Sequence, residues 1–239
     1  MLLAIFSDIH GNLPALESVL SDIKTRGIVD HVYCLGDLVG YAPFPNEVID
    51  RLRQEGIPSI MGNYDQGTGF DLDDCGCAYR EPEEKRLGDL SFQWTKAHVT
   101  VENKAFLRNL YNDIRFEVSG KHFLLVHGSP RRINEYLFEE RPLSSFQRIE
   151  QDARADIIVC GHTHKSYIKK VNGVLFVNVG SVGKPKDGDP RACYGLIEVH
   201  DGIVEVSFQR VTYDVAAVVS AIRESELPAH FADVLERAL

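Results

Sequence analysis

The chain has 239 residues, of which 44% are hydrophobic, and a formal charge of −9. That length supports one sizeable α/β core, and the acidic balance excludes the positively charged face with which duplex nucleic acid is usually bound. No run reaches the roughly 18 apolar residues of a membrane span.

Leu2–Phe6 is a short apolar run, with no charged leader or cleavage site, and predicts a buried strand. It ends where Ser7-Asp8-Ile9-His10-Gly11-Asn12 begins. Leu13, Leu16, Val19, Leu20 and Ile23 recur with a helical period over 13–26, and Gly27 stops it. Val32–Leu35 predicts a second strand running into Gly36-Asp37, followed by a helix over Pro45–Glu55 closed by Gly56. Pro58–Met61 reads as a third strand, delivering Gly62-Asn63-Tyr64-Asp65. This alternation indicates parallel βαβ units, in which functional residues gather beyond the carboxyl ends of strands.

Residues 66–113 change texture: a polar acidic loop, then helical patterns around Glu83–His98 and Val101–Asn109. We read this stretch as a small, mostly helical insertion that caps the site, within a single domain spanning 1–239. Cys75-Gly76-Cys77 lacks partner cysteines at zinc-like spacing and reads as two thiols in a polar loop. Ile114–Val118 and His122–Val126 predict a hairpin around Ser119-Gly120 that ends at His127-Gly128. A helix over Leu143–Asp152 precedes a strand, Asp156–Cys160, that delivers Gly161-His162-Thr163-His164. Ser166–Val171, Val174–Val179, Ala192–Val199 and Ile203–Arg210 are β-rich, and Asn172-Gly173 and Asp201-Gly202 suit tight hairpin turns because their residues accept positive φ. The tail from Asp214 reads as helix, interrupted near Pro228. Five cysteines, an odd number mostly within apolar runs, point to a reducing compartment and a cytoplasmic protein.

The motifs offer Asp8, Asp37, Asn63, His10, His127, His162 and His164, each at a predicted strand end. Oxygen and imidazole donors without thiolate suit Mn²⁺, Fe or Zn²⁺ better than a structural zinc knot. Asp8 and His10 are two residues apart, so on an extended strand both reach one ion, and His162 and His164 repeat that spacing. One carboxylate, Asp37, can bridge two ions through its two oxygens. Two ions about 3.5–4 Å apart would polarise a phosphoryl group and acidify a bridging water. Taken singly, each motif has a plain structural reading: a helix-capping aspartate, a turn Gly-Asp, a packed histidine. The ordered set points to a two-metal hydrolase. His31, His98, His122, His200 and His230 lack such company and read as surface or packing residues.

Asp-x-His, Gly-Asp, Gly-Asn-x-Asp, His-Gly and Gly-His-x-His together resemble the calcineurin-like metallophosphoesterase superfamily, over residues 1–65 and 120–200. Ser7–Asn12 and the loop Val179-Gly180-Ser181-Val182-Gly183 are most similar to its small bacterial and archaeal phosphodiesterase branch. The resemblance implies a two-sheet, mixed α/β/β/α sandwich with flanking helices. It also implies two divalent ions, Mn, Fe, Ni or Zn, and a small phosphorylated substrate attacked by a metal-bridging hydroxide. Asp8, His10, Asp37 and His164 would hold one ion; Asp37, Asn63, His127 and His162 would hold the other.

One position departs from the family pattern. Many members carry a histidine where this chain has Tyr64. A phenol with pKa about 10 donates a hydrogen bond but has no mobile proton near neutrality, and losing general-acid help costs about 10²–10⁴-fold. This favours phosphodiesters or activated esters over phosphomonoesters or phosphoproteins. A non-catalytic scaffold that keeps the fold is a further reading, opposed by the complete ligand set. Asp65 either orients a ligand histidine or caps a turn. Arg131 and Arg132, following the His127 loop, either grip a phosphate oxygen or form a solvated charge pair. The apolar positions of the β-rich half suit either core or a homo-oligomer interface.

Overall fold

Leu3 and Ile5 point one way, Ala4 and Phe6 the other, and all four are fully buried, so the first strand has to be covered on both faces. The computed structural model, which describes residues 1–27, 29–79 and 81–239, shows how. The chain runs through β1 (Leu2–Phe6), α1 (Leu13–Arg26), β2 (His31–Cys34), α2 (Pro45–Glu55), α3 (Asn63–Gly69), α4 (Pro82–His98) and α5 (Val101–Arg108). The hairpin β3 (Ile114–Val118) and β4 (Lys121–Leu125) follows, then α6 (Leu143–Ala153), β5 (Ile157–Cys160), β6 (Tyr167–Val171) and β7 (Val174–Asn178). The long hairpin β8 (Ala192–His200) and β9 (Ile203–Val211) leads to α7 (Val215–Glu224) and α8 (His230–Arg237).

Two mixed sheets form, ordered β2-β1-β8-β9 and β3-β4-β5-β7-β6. Leu3, Ile5, Ile197 and Val199 of the first sheet meet Phe123, Leu125, Val159 and Val177 of the second, making the middle core. Ala4 and Phe6 face outward onto Leu16 and Val19 of α1 and Val48 and Leu52 of α2. Ile158 and Phe176 face outward onto Phe146 and Ile149 of α6. The layers are therefore helix, sheet, sheet, helix, as the resemblance implies. The helix α1 has the ends its sequence promises: Asn12 Oδ1 accepts from the Ala15 amide at 3.1 Å, and Gly27 closes it with φ 72°.

Two features differ from the sequence expectation. Pro58–Met61 forms no strand; it makes single bridges, Ser59 to Cys34 and Ile60 to Tyr111. The segment is too short to add a fifth strand beside β2, and the chain turns at once into α3, itself absent from the expected elements. Both hairpin dipeptides take the expected turn, with φ 48° and 100° at Asn172-Gly173 and 51° and 77° at Asp201-Gly202. At the carboxyl end, α7 and α8 pack onto Leu87 of α4 and onto Ala42, joining the insertion to the tail of the chain. No helix among the described residues is long and apolar enough to cross a membrane.

Candidate metal centre

Loops leaving β1, β2, β4 and β5, together with the first turn of α3, bring the seven ligand candidates into two adjoining groups. Asp8, His10 and His164 form one, and Asp37, His127 and His162 the other, all buried. Asn63 joins the second group, its Oδ1 3.1 Å from His127 Nε2.

The backbone route to this convergence is not the extended strand expected from the Asp-x-His spacing. Strand β1 ends at Phe6, and Asp8 (φ 56°), His10 (51°), Asp37 (54°), His162 (63°) and His164 (61°) are all left-handed. A non-glycine residue in that region costs on the order of 1–2 kcal/mol, so such a cluster persists only where the surroundings hold it. The His162–His164 pair is also split, one ring to each group, rather than sharing an ion as alternate strand residues would.

What holds the loops is a lattice of main-chain bonds. Asp8 N donates to Gly36 O at 2.9 Å and His10 N to Asp37 O at 2.9 Å, tying the first two motifs together. The loop 180–183 straps Asp8 from the other side: Ser181 Oγ donates to Asp8 O at 2.8 Å, and Gly183 N to the same oxygen at 3.0 Å. Its glycine is required, since a Cβ at Gly183 would overlap Ile9 O.

Each aspartate commits one oxygen to the backbone and leaves one for the site. Asp8 Oδ2 accepts from His162 N at 2.9 Å; Oδ1 is buried without a hydrogen-bond partner, 3.8 Å from His10 Nε2 and 3.4 Å from His164 Nε2. Asp37 Oδ1 accepts from Tyr64 N at 2.8 Å. Its Oδ2 stands between the groups, 3.7 Å from His10 Nε2 and 3.4 Å from His127 Nε2.

The donor chemistry fits a cation. His10 Nδ1 donates to Val39 O at 3.1 Å and His164 Nδ1 to Lys184 O at 2.5 Å, so each neutral ring carries its proton on Nδ1. Their Nε2 lone pairs nevertheless face each other at 3.1 Å. Burial holds His10 down at about 3, with Asp37 and Asp8 opposing. It also holds His164 and His162 well below the ordinary histidine value, so protonation does not resolve the contact. His162 Nε2 is likewise buried without a partner. A divalent ion held by those lone pairs and Asp8 Oδ1 would resolve it. His127 behaves oppositely: burial pulls it down, but the charge and hydrogen bond of Asp37 outweigh this and raise it to about 9.

The other candidates divide. Asp65 is a turn cap, accepting from Gly62 N through Oδ2 at 2.9 Å and from Leu38 N through Oδ1 at 2.9 Å. It has no hydrogen bond to a site histidine among the described residues. The Tyr64 hydroxyl is buried without a partner, near the Tyr41 and Tyr79 phenols, and burial pushes its pKa well above 10. Arg131 is paired with Glu135, and both Arg131 and Arg132 are exposed at the surface. Cys75 and Cys77 do more than occupy a polar loop: Asn63 Nδ2 donates to Cys75 O at 2.9 Å and to Cys77 Sγ at 3.2 Å, which aims Oδ1 at the centre. Sequence reasoning also missed Tyr136, tilted against His162 at 4.0 Å between centroids, and Tyr41, edge-on to His10 at 4.9 Å. Neither lies in a recognisable motif. A surface hollow of about 570 Å³, lined by Lys24, His31 and Arg51 among others, lies by the amino end of β2 and serves none of these residues.

Comparison with known proteins agrees with this geometry. The calcineurin-like phosphoesterase superfamily domain matches residues 1–202. An uncharacterized protein of Methanocaldococcus jannaschii is 34% identical over 245 residues, covering 95% of this chain and 94% of that one. Phosphodiesterase YfcE of Escherichia coli is 25% identical over 209 residues, covering 83% and 88%. The crystal structure of a metallophosphoesterase from Sphaerobacter thermophilus superposes with a TM-score of 0.79 at 30% identity, covering 100% of this chain and 99% of that one. With its motifs, its two-sheet sandwich and its paired Asp/His groups, the chain belongs to the calcineurin-like phosphoesterase superfamily.

Proposed function

We propose that this protein is a two-metal phosphoesterase that hydrolyses small phosphodiesters or nucleotides. The observation that carries the reading is Asp37 Oδ2, held between the His10 and His127 rings while Oδ1 is fixed by a backbone amide. Asp8, His10 and His164 would hold one divalent ion and Asn63, His127 and His162 the other, with Asp37 shared. Mn, Fe, Ni and Zn all suit these donors. When bound, such ions supply Lewis-acid activation of the phosphoryl group and of the water that attacks it.

The chain's own residues supply position. Ser181 and Gly183 fix Asp8 through its carbonyl, Asp65 fixes the turn that carries Asn63, and the Cys75 carbonyl orients the Asn63 amide. The buried Tyr64 phenol brings no mobile proton to a leaving group, which weighs toward phosphodiesters whose leaving groups depart unprotonated. A relative named as a phosphodiesterase weighs the same way. The charge of −9 argues against duplex nucleic acid as substrate. Five free cysteines favour a cytoplasmic location. In the same reading 1–239 is one domain and 66–113 is its cap, since Tyr79, Glu84 and Leu87 line the cavity beside the centre.

The test is metal analysis of protein purified without chelator, then assay of the Mn²⁺-loaded protein on mono- and diesters. Two ions per chain and faster turnover of aryl diesters are expected. A preference for monoesters would make it a phosphatase; bound metal with no turnover on any ester would make it a scaffold.

A further inference from the structure

Two lysine side chains stand beside the centre with no ion-paired carboxylate among the described residues. Lys184 Nζ lies 4.4 Å from the centroid of the Tyr41 ring, and the Lys184 carbonyl holds His164. Lys186 follows two residues later; both side chains are half-buried. Neither Nζ has a hydrogen bond or an ion pair within 4 Å among the described residues, whereas Lys104 pairs with Asp71 at 2.5 Å and Arg141 with Glu135 at 2.8 Å. The acidic groups whose charges reach both lysines are the Cys77 thiol, Asp8, already committed to the centre, and Glu84. Keeping two half-buried ammonium groups with no hydrogen-bonded countercharge is unfavourable, and an anion in the adjoining cavity would supply one.

The space for it is there. A cavity of about 380 Å³ is lined by Tyr41, Tyr79, Tyr136, Lys184, Lys186 and His230, among others. Its inner wall adjoins the metal centre: Tyr41 lies edge-on to His10, Tyr136 lies tilted against His162, and the Lys184 carbonyl accepts from His164. Its outer wall comes from the insertion, through Tyr79, and from α8, through Phe231. The volume lies in the range of small-ligand pockets, about 300–1,000 Å³, and exceeds what a lone phosphate needs. Tyrosines offer flat apolar faces with a polar rim, suited to a sugar or a ring.

We propose that this cavity receives the part of the substrate beyond the scissile phosphoryl group, and that Lys184 and Lys186 bind a second phosphate carried there. The substrate class is then a phosphodiester that bears an additional phosphate monoester, such as a nucleoside 5′-phosphodiester that also carries a 3′-phosphate. The assignment rests on the phosphoesterase reading given above. Ammonium groups bind phosphate as compact point charges, and divalent ions next door would add to the attraction.

The test compares two chromogenic esters that differ only in the second phosphate: p-nitrophenyl thymidine 5′-phosphate and the same compound carrying a 3′-phosphate. Both release p-nitrophenolate, so kcat/KM is measured on each with the Mn²⁺-loaded protein and expressed as a ratio. The ratio is unaffected by partial unfolding, because both substrates report the same folded fraction. The wild type is expected to prefer the doubly phosphorylated ester by about 10- to 100-fold, at about tenfold for each charge-assisted contact. Lys186→Gln and Lys184→Gln should each lower the ratio about tenfold, on the same scale, mainly through KM, and Lys186→Arg should restore most of it. Equal use of the two esters by the wild type, or an unchanged ratio in both glutamine variants, overturns the subsite while leaving the hydrolase intact. No turnover of either ester overturns the phosphoesterase reading and this proposal with it.

Discussion

Tyr64 serves Asp37 through its main chain: its amide donates to Asp37 Oδ1 at 2.8 Å, while its phenol is buried without a partner. The ring packs against Tyr41 at 4.9 Å and Phe92 at 5.8 Å between centroids, so the residue acts as core. Tyr64→Phe should therefore change kcat/KM by no more than about threefold, far below the 10²–10⁴ of a lost general acid. Deleting an unsatisfied buried hydroxyl relieves a cost of about 1–3 kcal/mol, so Tm should hold or rise. A tenfold or greater loss of activity in the folded variant would return the phenol to the reaction.

Asp37→Asn probes the shared ligand. The amide can still accept from Tyr64 N, so the fold around it is kept, but the charge between the two groups is lost. Metal ions stabilise such transition states by several kcal/mol, so at least about a 10³-fold fall in kcat is expected. Elemental analysis should find fewer than two ions per chain. Full metal content with near-normal kcat would mean that Asp37 does not bridge.

The two Asp/His groups were legible because each aspartate and histidine stands in a short motif just beyond a strand, and strand ends are what apolar runs such as Leu2–Phe6 and Ile157–Cys160 announce. Asn63 follows no strand and was legible only from its motif. The layer order was not written in those runs; it came with the family resemblance. What stayed hidden is of two kinds. Left-handed turns at Asp8, His10 and His162 depend on bonds to Gly36, Asp37 and Asp8, which lie 28, 27 and 154 positions away in the chain. The cavity lining joins Tyr41, Tyr136 and Lys184, whose spacing has no period. Arg131 could not be resolved from sequence, because a guanidinium beside a histidine loop reads the same with or without a carboxylate partner of its own, here Glu135 four residues on.

Loading the centre should release a proton from His127. In the metal-free protein this ring, raised to about 9 by Asp37 against the effect of burial, is charged at pH 7. Nδ1 donates to Leu35 O at 2.7 Å, so the labile proton is on Nε2, the atom that faces the centre, and a ligand must give it up. His10, His162 and His164 are held neutral by burial and release none. Titration calorimetry in two buffers of different ionisation enthalpy should count about one proton per ion bound at the His127 position. Affinity there should rise with pH up to about 9 and then level. Since a raised pKa stabilises below the unfolded value of 6.5, the metal-free protein should lose that stability as pH climbs through 9. Buffer-independent heats across this window would show that His127 binds its ion already neutral.

Glu135 gives the opposite pH signature. Its carboxylate, 12% exposed, accepts from Ser129 and is paired with Arg131 and Arg141. Burial alone would raise its pKa, but these three partners outweigh it and bring it down to about 2. A depressed carboxylate stabilises the fold above its unfolded value of 4.5, and that stability drains away as pH falls towards 2. Glu135→Gln should cost about 1–2 kcal/mol at pH 7 after allowance for solvent screening of the half-exposed arginines. That corresponds to a Tm lower by about 2–8 °C for a chain of this size. Near pH 2 the two proteins should melt together, because the wild-type carboxylate is by then partly protonated. The variant also frees Arg131, so KM for phosphoesters should stay the same or fall slightly. A KM raised tenfold with unchanged Tm would mean instead that the Glu135–Arg131 pair belongs to the substrate site.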